Sequence, residues 1–476
     1  MSKLTWNNIN WTLVQDRISR HQRRVYKASI EGNKAKVHAI QRRIIASLDA
    51  KLLAVRKVTT EKKGSHENKI KLAYKIKLNG KTREISTVEE RAKQMLAKLA
   101  LEPEWEAVFE PNSYGFRPGK SSHDAIDTLF FSLKIKSRYV LEADIKKCFD
   151  KIDHDKLLLK LSTFDTMKNQ IKAWLKADII VGQSMEVISG LLSNIALDGL
   201  GDDIKKWYAK TWYPTTLLAE QERNSNITKH AIGFSRYAHD FIITAPERKD
   251  IEAIEKQVTI WLDKEMGLEF SNAKTRIINS TEGFEFLGFQ IISIKKQTNE
   301  AYQNDNYKVK IHPSRRSKAS IIQAIRKLIQ ENKSASSYSL IHILSSRIIG
   351  WANYFRYSEC IEDFTKLDYT IFNQIRAWVL RRKSKGLRSR TKLKHKYFPE
   401  GKKYEFRGKT YQNNWILNGK TLKKDCKREE NFLPKMVWIG SADRNKEESK
   451  KACGKTFTLM DSQIQKSGFE KSLSIN

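Results

Sequence analysis

The sequence predicts an α+β fold, with a mixed central domain followed by an all-helical one. Three observations carry that expectation. Short β-rich runs alternate with helical patterns through the middle of the chain, as expected of a sheet covered by helices. From Ser317 to Arg382 the apolar spacing becomes helical throughout, with Ile321, Ile322, Ile325, Leu328 and Ile329 on one face. At 476 residues the chain also exceeds the roughly 250–300 at which single cores stop growing, so two or three domains are expected.

In chain order, residues 11–57 carry apolar positions at helical spacing (Leu13, Val14, Ile18, then Val37, Ile40, Ile44, Leu48, Leu52) with Lys and Arg between them. This pattern predicts two basic amphipathic helices split near Gly32-Asn33. Residues 57–71 are polar and read as a loop. Strands are expected near 72–77, 138–143, 232–237, 241–244 and 284–292, and helices over 88–100, 122–132, 191–210 and 249–266. Between Asp368 and Glu400 no acidic residue occurs, whereas Arg376, Arg381, Arg382, Lys383, Lys385, Arg388 and Arg390 do. Such a block repels itself and suits a polyanion. Trp378, Tyr397 and Phe398 lie within it and are expected to stack on unpaired bases. Beyond 401 the chain is turn-rich, and after Gly440 it is charged and weakly patterned.

Composition agrees with a nucleic-acid partner. Lys and Arg number 89 against 54 Asp and Glu, a formal charge of +35, which attracts polyanions. Four scattered cysteines form no C-x-x-C pair, so neither a disulfide framework nor a zinc ribbon is indicated and a reducing, intracellular setting is expected. Neither a secretory signal core in residues 1–11 nor a membrane-length apolar run is found, so no membrane partner is expected.

Two-metal phosphoryl transfer needs carboxylates from different strands held around ions about 3.5–4 Å apart. Asp144 ends the apolar run Tyr139-Val140-Leu141-Glu142-Ala143, and Phe149 and Asp150 follow shortly after. The second component is 232–244, two apolar strands around the polar turn Tyr237-Ala238-His239-Asp240. Each alone is a weak signal, but the two in this order are considerably stronger.

With these motifs the chain resembles group II intron-encoded reverse transcriptases and maturases, over nearly its whole length up to about residue 440. The block Pro111-Asn112-Ser113-Tyr114-Gly115-Phe116-Arg117-Pro118-Gly119-Lys120 is highly specific. It is joined in the family's order by Ala143-Asp144-Ile145, Ile188-Ser189-Gly190-Leu191, Lys274-Thr275-Arg276, Gly283-Phe284-Glu285-Phe286-Leu287-Gly288 and Gly350-Trp351-Ala352-Asn353-Tyr354-Phe355. The resemblance implies a right-hand polymerase-like arrangement: a basic helical N-terminal extension (1–57), fingers and palm (58–300), a helical thumb or maturase X domain (310–400) and a basic C-terminal segment (401–476). It further implies that Asp144 and Asp240 are two of three metal-site carboxylates, that Mg2+ is the ion if any catalysis remains, and that Phe149 excludes a ribose 2′-hydroxyl. Arg83 and Arg117 would lie near triphosphate and template, and Lys274 would be a candidate proton donor.

The chain departs from the family at the catalytic face. His239 stands where the third carboxylate belongs, and Gln183-Ser184-Met185-Glu186 replaces a Pro-Gln-Gly-Gly run. Mg2+ prefers oxygen ligands, so imidazole is a poor substitute and one negative charge is lost. If that removes about 4 kcal/mol of stabilisation, the rate falls roughly a thousandfold. After Gly440 only Cys453 and no His remain, so no intact HNH endonuclease is expected. The resulting expectation is a maturase that binds group II intron RNA and assists its splicing without copying it. The alternative is an active RNA-directed DNA polymerase of a mobile intron, with DNA as a further partner. A plastid, another organelle or a bacterial cytoplasm would fit, and the resemblance leaves a homodimer on RNA open.

Overall fold

The computed structural model describes residues 5–59, 66–80, 82, 87–134, 137–146, 148–177, 187–212, 232–271, 275–295, 307–381, 390–422 and 428–441. Helices and sheets are both present, and the chain forms two compact units, the first covering most of residues 5–279 and the second 280–441.

In the first unit, α1 (Trp11–Ile30) buries Val14, Ile18, Val25 and Ala28 on one face and leaves its arginines outward. Asn10 caps its start by accepting the Leu13 N–H. Gly32, at φ 69, turns the chain, and Asn33 caps α2 (Lys34–Ala46) in the same way. The chain breaks again at Ser47, whose backbone is extended, so α3 (Leu48–Thr59) is a third helix where the periodicity predicted two. Next comes α4 (His66–Lys75), in a stretch expected to be loop and strand. In place of the strand expected near 72–77 the helix continues to Lys75, and Ala73 and Ile76 are buried three apart. Only 76–78, beyond the helix, bury alternate residues.

Helix α5 (Val88–Glu106) runs six residues past its predicted end and through Pro103. Proline has no N–H to donate, so the carbonyl of Leu99 loses its helical partner. The Gln22 amide, buried on α1, donates to it at 2.9 Å instead, and the Gln41 amide of α2 donates to Ala100 O at 3.2 Å.

The sheet of this unit is antiparallel throughout, in the order β2-β3-β1-β4, with β1 (Tyr139–Asp144), β2 (Gly233–Tyr237), β3 (Asp240–Ala245) and β4 (Arg276–Asn279). Helix α6 (Ser122–Leu133) precedes β1, and between β1 and β2 come α7 (Cys148–Lys151), α8 (His154–Leu161), α9 (Asp165–Lys176), α10 (Ser189–Leu197) and α11 (Leu200–Trp212). The helix predicted over 191–210 is therefore two, parted at Gly199, whose φ of 89 no helix accommodates. Helix α12 (Arg248–Met266) packs on β1 and β3 through Ile251, Ile254, Val258 and Leu262.

The second unit begins with an antiparallel sheet of β5 (Phe284–Phe286), β6 (Phe289–Lys295) and β7 (Tyr307–Pro313). The single strand predicted over 284–292 is a hairpin, because Leu287 and Gly288 both take positive φ, as a two-residue turn requires. Three long helices follow: α13 (Arg315–Glu331), α14 (Ser337–Phe355) and α15 (Ile361–Leu380), then the short α16 (Arg390–Tyr397). Ile321, Ile325 and Ile329 form the buried stripe of α13. Through Arg381 the stretch expected to be helical consists of these three helices and their short connections. Hairpins β8–β9 (Lys403–Phe406, Lys409–Gln412) and β10–β11 (Asn418–Leu422, Arg428–Phe432) share the unit, with β10 packed on α14. Gly419 permits this contact, since a Cβ there would meet the backbone N of Tyr338 at 2.5 Å.

Trp378 and Phe398 correct a second expectation. They are 5% and 2% exposed, and Trp378 donates its ring N–H to Asn332 O, so both belong to the core and offer no face to a base. Among the described residues no helix is long and apolar enough to cross a membrane.

Candidate metal centre

The apolar run of β1 anchors the strand inside the unit and delivers Asp144, 6% exposed, to its end. The antiparallel register sets Asp144 directly opposite Asp240, the first residue of β3. A two-residue turn, Ala238-His239, joins β2 to β3. Ala238 takes φ 60 while His239 does not, the pattern of a turn that usually has glycine first, and a strain of about 1 kcal/mol or more for alanine. The turn projects His239 beside the carboxylates, its Nε2 3.7 Å from Asp144 Oδ1. Ligand atoms of Asp144, His239 and Asp240 all lie within 4.8 Å of one another.

A buried polar scaffold holds the strained turn. Arg236, on β2, is 0% exposed and donates to Ala238 O (3.2 Å), Asn194 Oδ1 (3.1 Å) and Glu110 Oε1 (3.3 Å). Burial pushes the Glu110 carboxyl up and the Arg236 guanidinium down from their ordinary values, and their mutual attraction opposes both shifts. Asn194 also donates to Gly115 O at 2.7 Å. Gly115 passes so close to the turn that a Cβ would lie 2.4 Å from the Ala238 nitrogen, which explains why this position takes glycine. Backbone hydrogen bonds Tyr114 N to Arg236 O and Arg236 N to Asn112 O fix the same segment along β2.

Of the other expected site residues, Phe149 is half-buried on α7, four residues beyond Ile145. Arg117, expected near triphosphate and template, lies in the loop that follows α5. Its guanidinium is 9% exposed and committed to Glu106 (3.0–3.2 Å) and to the carbonyls of Glu110 and Ser113 (both 2.8 Å), so it braces the loop. Arg376, Arg381 and Arg390 are exposed on the second unit. Arg83, Lys274, Arg382, Lys383, Lys385, Arg388 and the 183–186 run lie outside the described residues. Sequence reasoning missed Arg236, Asn194 and Glu110, and the lone arginine within the apolar run 232–244 was the available signal.

The donor set is two carboxylates and one imidazole. It does not fit the pair of Mg2+ ions that two-metal phosphoryl transfer uses, because Mg2+ takes oxygen and the set brings only two negative charges.

Comparison with known proteins follows the same segments. A family profile described as reverse transcriptase (RNA-dependent DNA polymerase) matches residues 62–291, one described as the N-terminal domain of reverse transcriptase matches 6–88, and one described as the group II intron maturase-specific domain matches 318–398. Protein YkfC of Escherichia coli is 30% identical over 259 residues, 48% of this chain and 68% of that protein. Group II intron-encoded protein LtrA of Lactococcus lactis is 28% identical over 261 residues, and the match spans 44% of this chain but only 43% of LtrA. Maturase-like protein 1 of Euglena gracilis is 22% identical over 408 residues, 77% of this chain and 80% of that protein.

Proposed function

The chain belongs to the group II intron reverse transcriptase/maturase family, and from that premise we propose that it is a maturase: it binds intron RNA, assists splicing, and has lost the ability to copy RNA into DNA. One observation carries the reading. His239, with Nε2 3.7 Å from Asp144 Oδ1, occupies the position where a third carboxylate is needed. The misfit of this donor set to a Mg2+ pair means that no phosphoryl-transfer step is assigned to it.

The RNA side of the proposal rests on charge. A net +35 and the exposed Arg376, Arg381 and Arg390 suit contacts to phosphates and 2′-hydroxyls, and the intron RNA itself performs the chemistry. Under this reading residues 1–57 and 310–400 grip the RNA, residues 58–300 are a retained fingers and palm, and residues 401–476 add basic surface. Phe149, Arg83 and Lys274 are then remnants of nucleotide handling. The test is splicing of a precursor RNA carrying the host intron, with and without the purified chain. Faster splicing with protein is expected, and an unchanged rate would contradict the role.

A second reading, an active polymerase, is favoured by one fact: Asp144 and Asp240 still face each other across β1 and β3. On that reading DNA is a further partner and primer extension is readily seen.

A further inference from the structure

The misfit to Mg2+ becomes informative when the trio is considered for what it does fit. Asp144 Oδ1 and His239 Nε2, 3.7 Å apart, are too distant for a hydrogen bond. They are close enough to share an ion. Zinc binds nitrogen and carboxylate oxygen at about 2.0–2.2 Å, so two ligands of one ion stand roughly 3–4 Å apart; the Asp144–His239 pair already does, and a pair at the set's 4.8 Å limit would close by about 1 Å.

Charge points the same way. Two carboxylates and a neutral imidazole carry −2, which one divalent ion neutralises and two would overshoot. The imidazole nitrogen favours a later first-row ion, for which affinity rises toward Cu2+ and Zn2+, over Mg2+.

The positions are fixed before any ion arrives. Asp144 and Asp240 are set by strand register, and His239 by a turn that Arg236 and Gly115 hold from beneath. We propose that Asp144, His239 and Asp240 form a mononuclear site for a zinc-type divalent cation, which ties the end of β1 to the β2–β3 turn in place of the two-Mg2+ arrangement of a copying enzyme. The site does not rest on the maturase reading, because its argument uses only the donor set at the end of β1 and in the β2–β3 turn.

The experiment strips the full-length chain with a chelator, reloads it with Zn2+ or Co2+, removes excess ion and counts metal by atomic emission. Co2+ also reports its own coordination through visible d–d absorption. The expected result is one ion per chain, retained against excess Mg2+, with affinity at least about tenfold weaker in His239→Ala and in Asp144→Asn. His239→Asp should lose the Co2+ spectrum and retain Mg2+ better than the parent. His239→Gln, which keeps the side chain's bulk, is read the same way should His239→Ala fail to fold. No stoichiometric uptake, or a metal count and Co2+ spectrum unchanged in His239→Ala, would overturn the site. Intron RNA binding measured on the same samples separates the two ideas: metal uptake with RNA binding lost counts against the maturase role alone, and RNA binding without uptake counts against the metal site alone.

Discussion

His239 and Arg236 sit three residues apart and differ in how readily the sequence revealed them. His239 was legible because its neighbours Tyr237, Ala238 and Asp240 and the apolar strands around them form a local pattern with a known place for a carboxylate. Arg236 was not, because its partners Asn194 and Glu110 are 42 and 126 residues away, and only folding brings them together. Its burial predicts a large penalty for removing its counter-charge. Glu110→Ala leaves the guanidinium enclosed and uncompensated, so the chain should lose about 3–5 kcal/mol of unfolding free energy in urea. A loss below about 1 kcal/mol would show that the pair does not hold the turn. The partners of Arg117 were equally hidden, since Glu106 and two carbonyls reach its guanidinium only once the loop is folded.

At the scale of elements, long helices were readable from apolar spacing and their breaks were not. Ser47, Gly199 and the Leu287-Gly288 turn each interrupt a run whose hydrophobic period continues, because backbone geometry at one or two residues decides there. Helix α5 shows the opposite case, continuing through Pro103 because Gln22 supplies the missing donor from another helix. The aromatic residues of the basic block were misread for a similar reason: Trp378 lies on the buried face of α15, and Phe398, just past α16, packs against Phe372 of α15. In the second unit, Asp368 on α15 accepts the N–H groups of Met436 and Val437, and burial pushes its carboxyl up to about 6. The folded chain therefore holds a proton there that the unfolded chain releases near pH 4. The contact's stability is greatest below about pH 4, falls as pH rises through about 6, and amounts to at most about 3 kcal/mol. Urea unfolding of the parent and Asp368→Asn should differ in pH slope across that window and run parallel above it. Identical slopes throughout would contradict the assignment.

Across the whole molecule, the α+β class and the family were readable from pattern and motif order. Net charge makes a quantitative prediction about RNA. The logarithm of the binding constant should fall linearly with the logarithm of salt concentration, each neutralised phosphate adding about 0.7–0.9 to the slope. Arg376→Ala should lower that slope by about one and weaken binding evenly across RNA sequences, and binding indifferent to salt would argue against a phosphate-dominated contact. The proposal that unites these features is a polymerase fold kept for its grip on RNA after the strand hairpin exchanged a carboxylate for an imidazole. Primer extension by the unaltered chain on an RNA template, with Mg2+ as the only divalent ion, tests it most directly. The account predicts no extension beyond background under conditions where the chain binds its intron RNA; efficient synthesis of complementary DNA would contradict it.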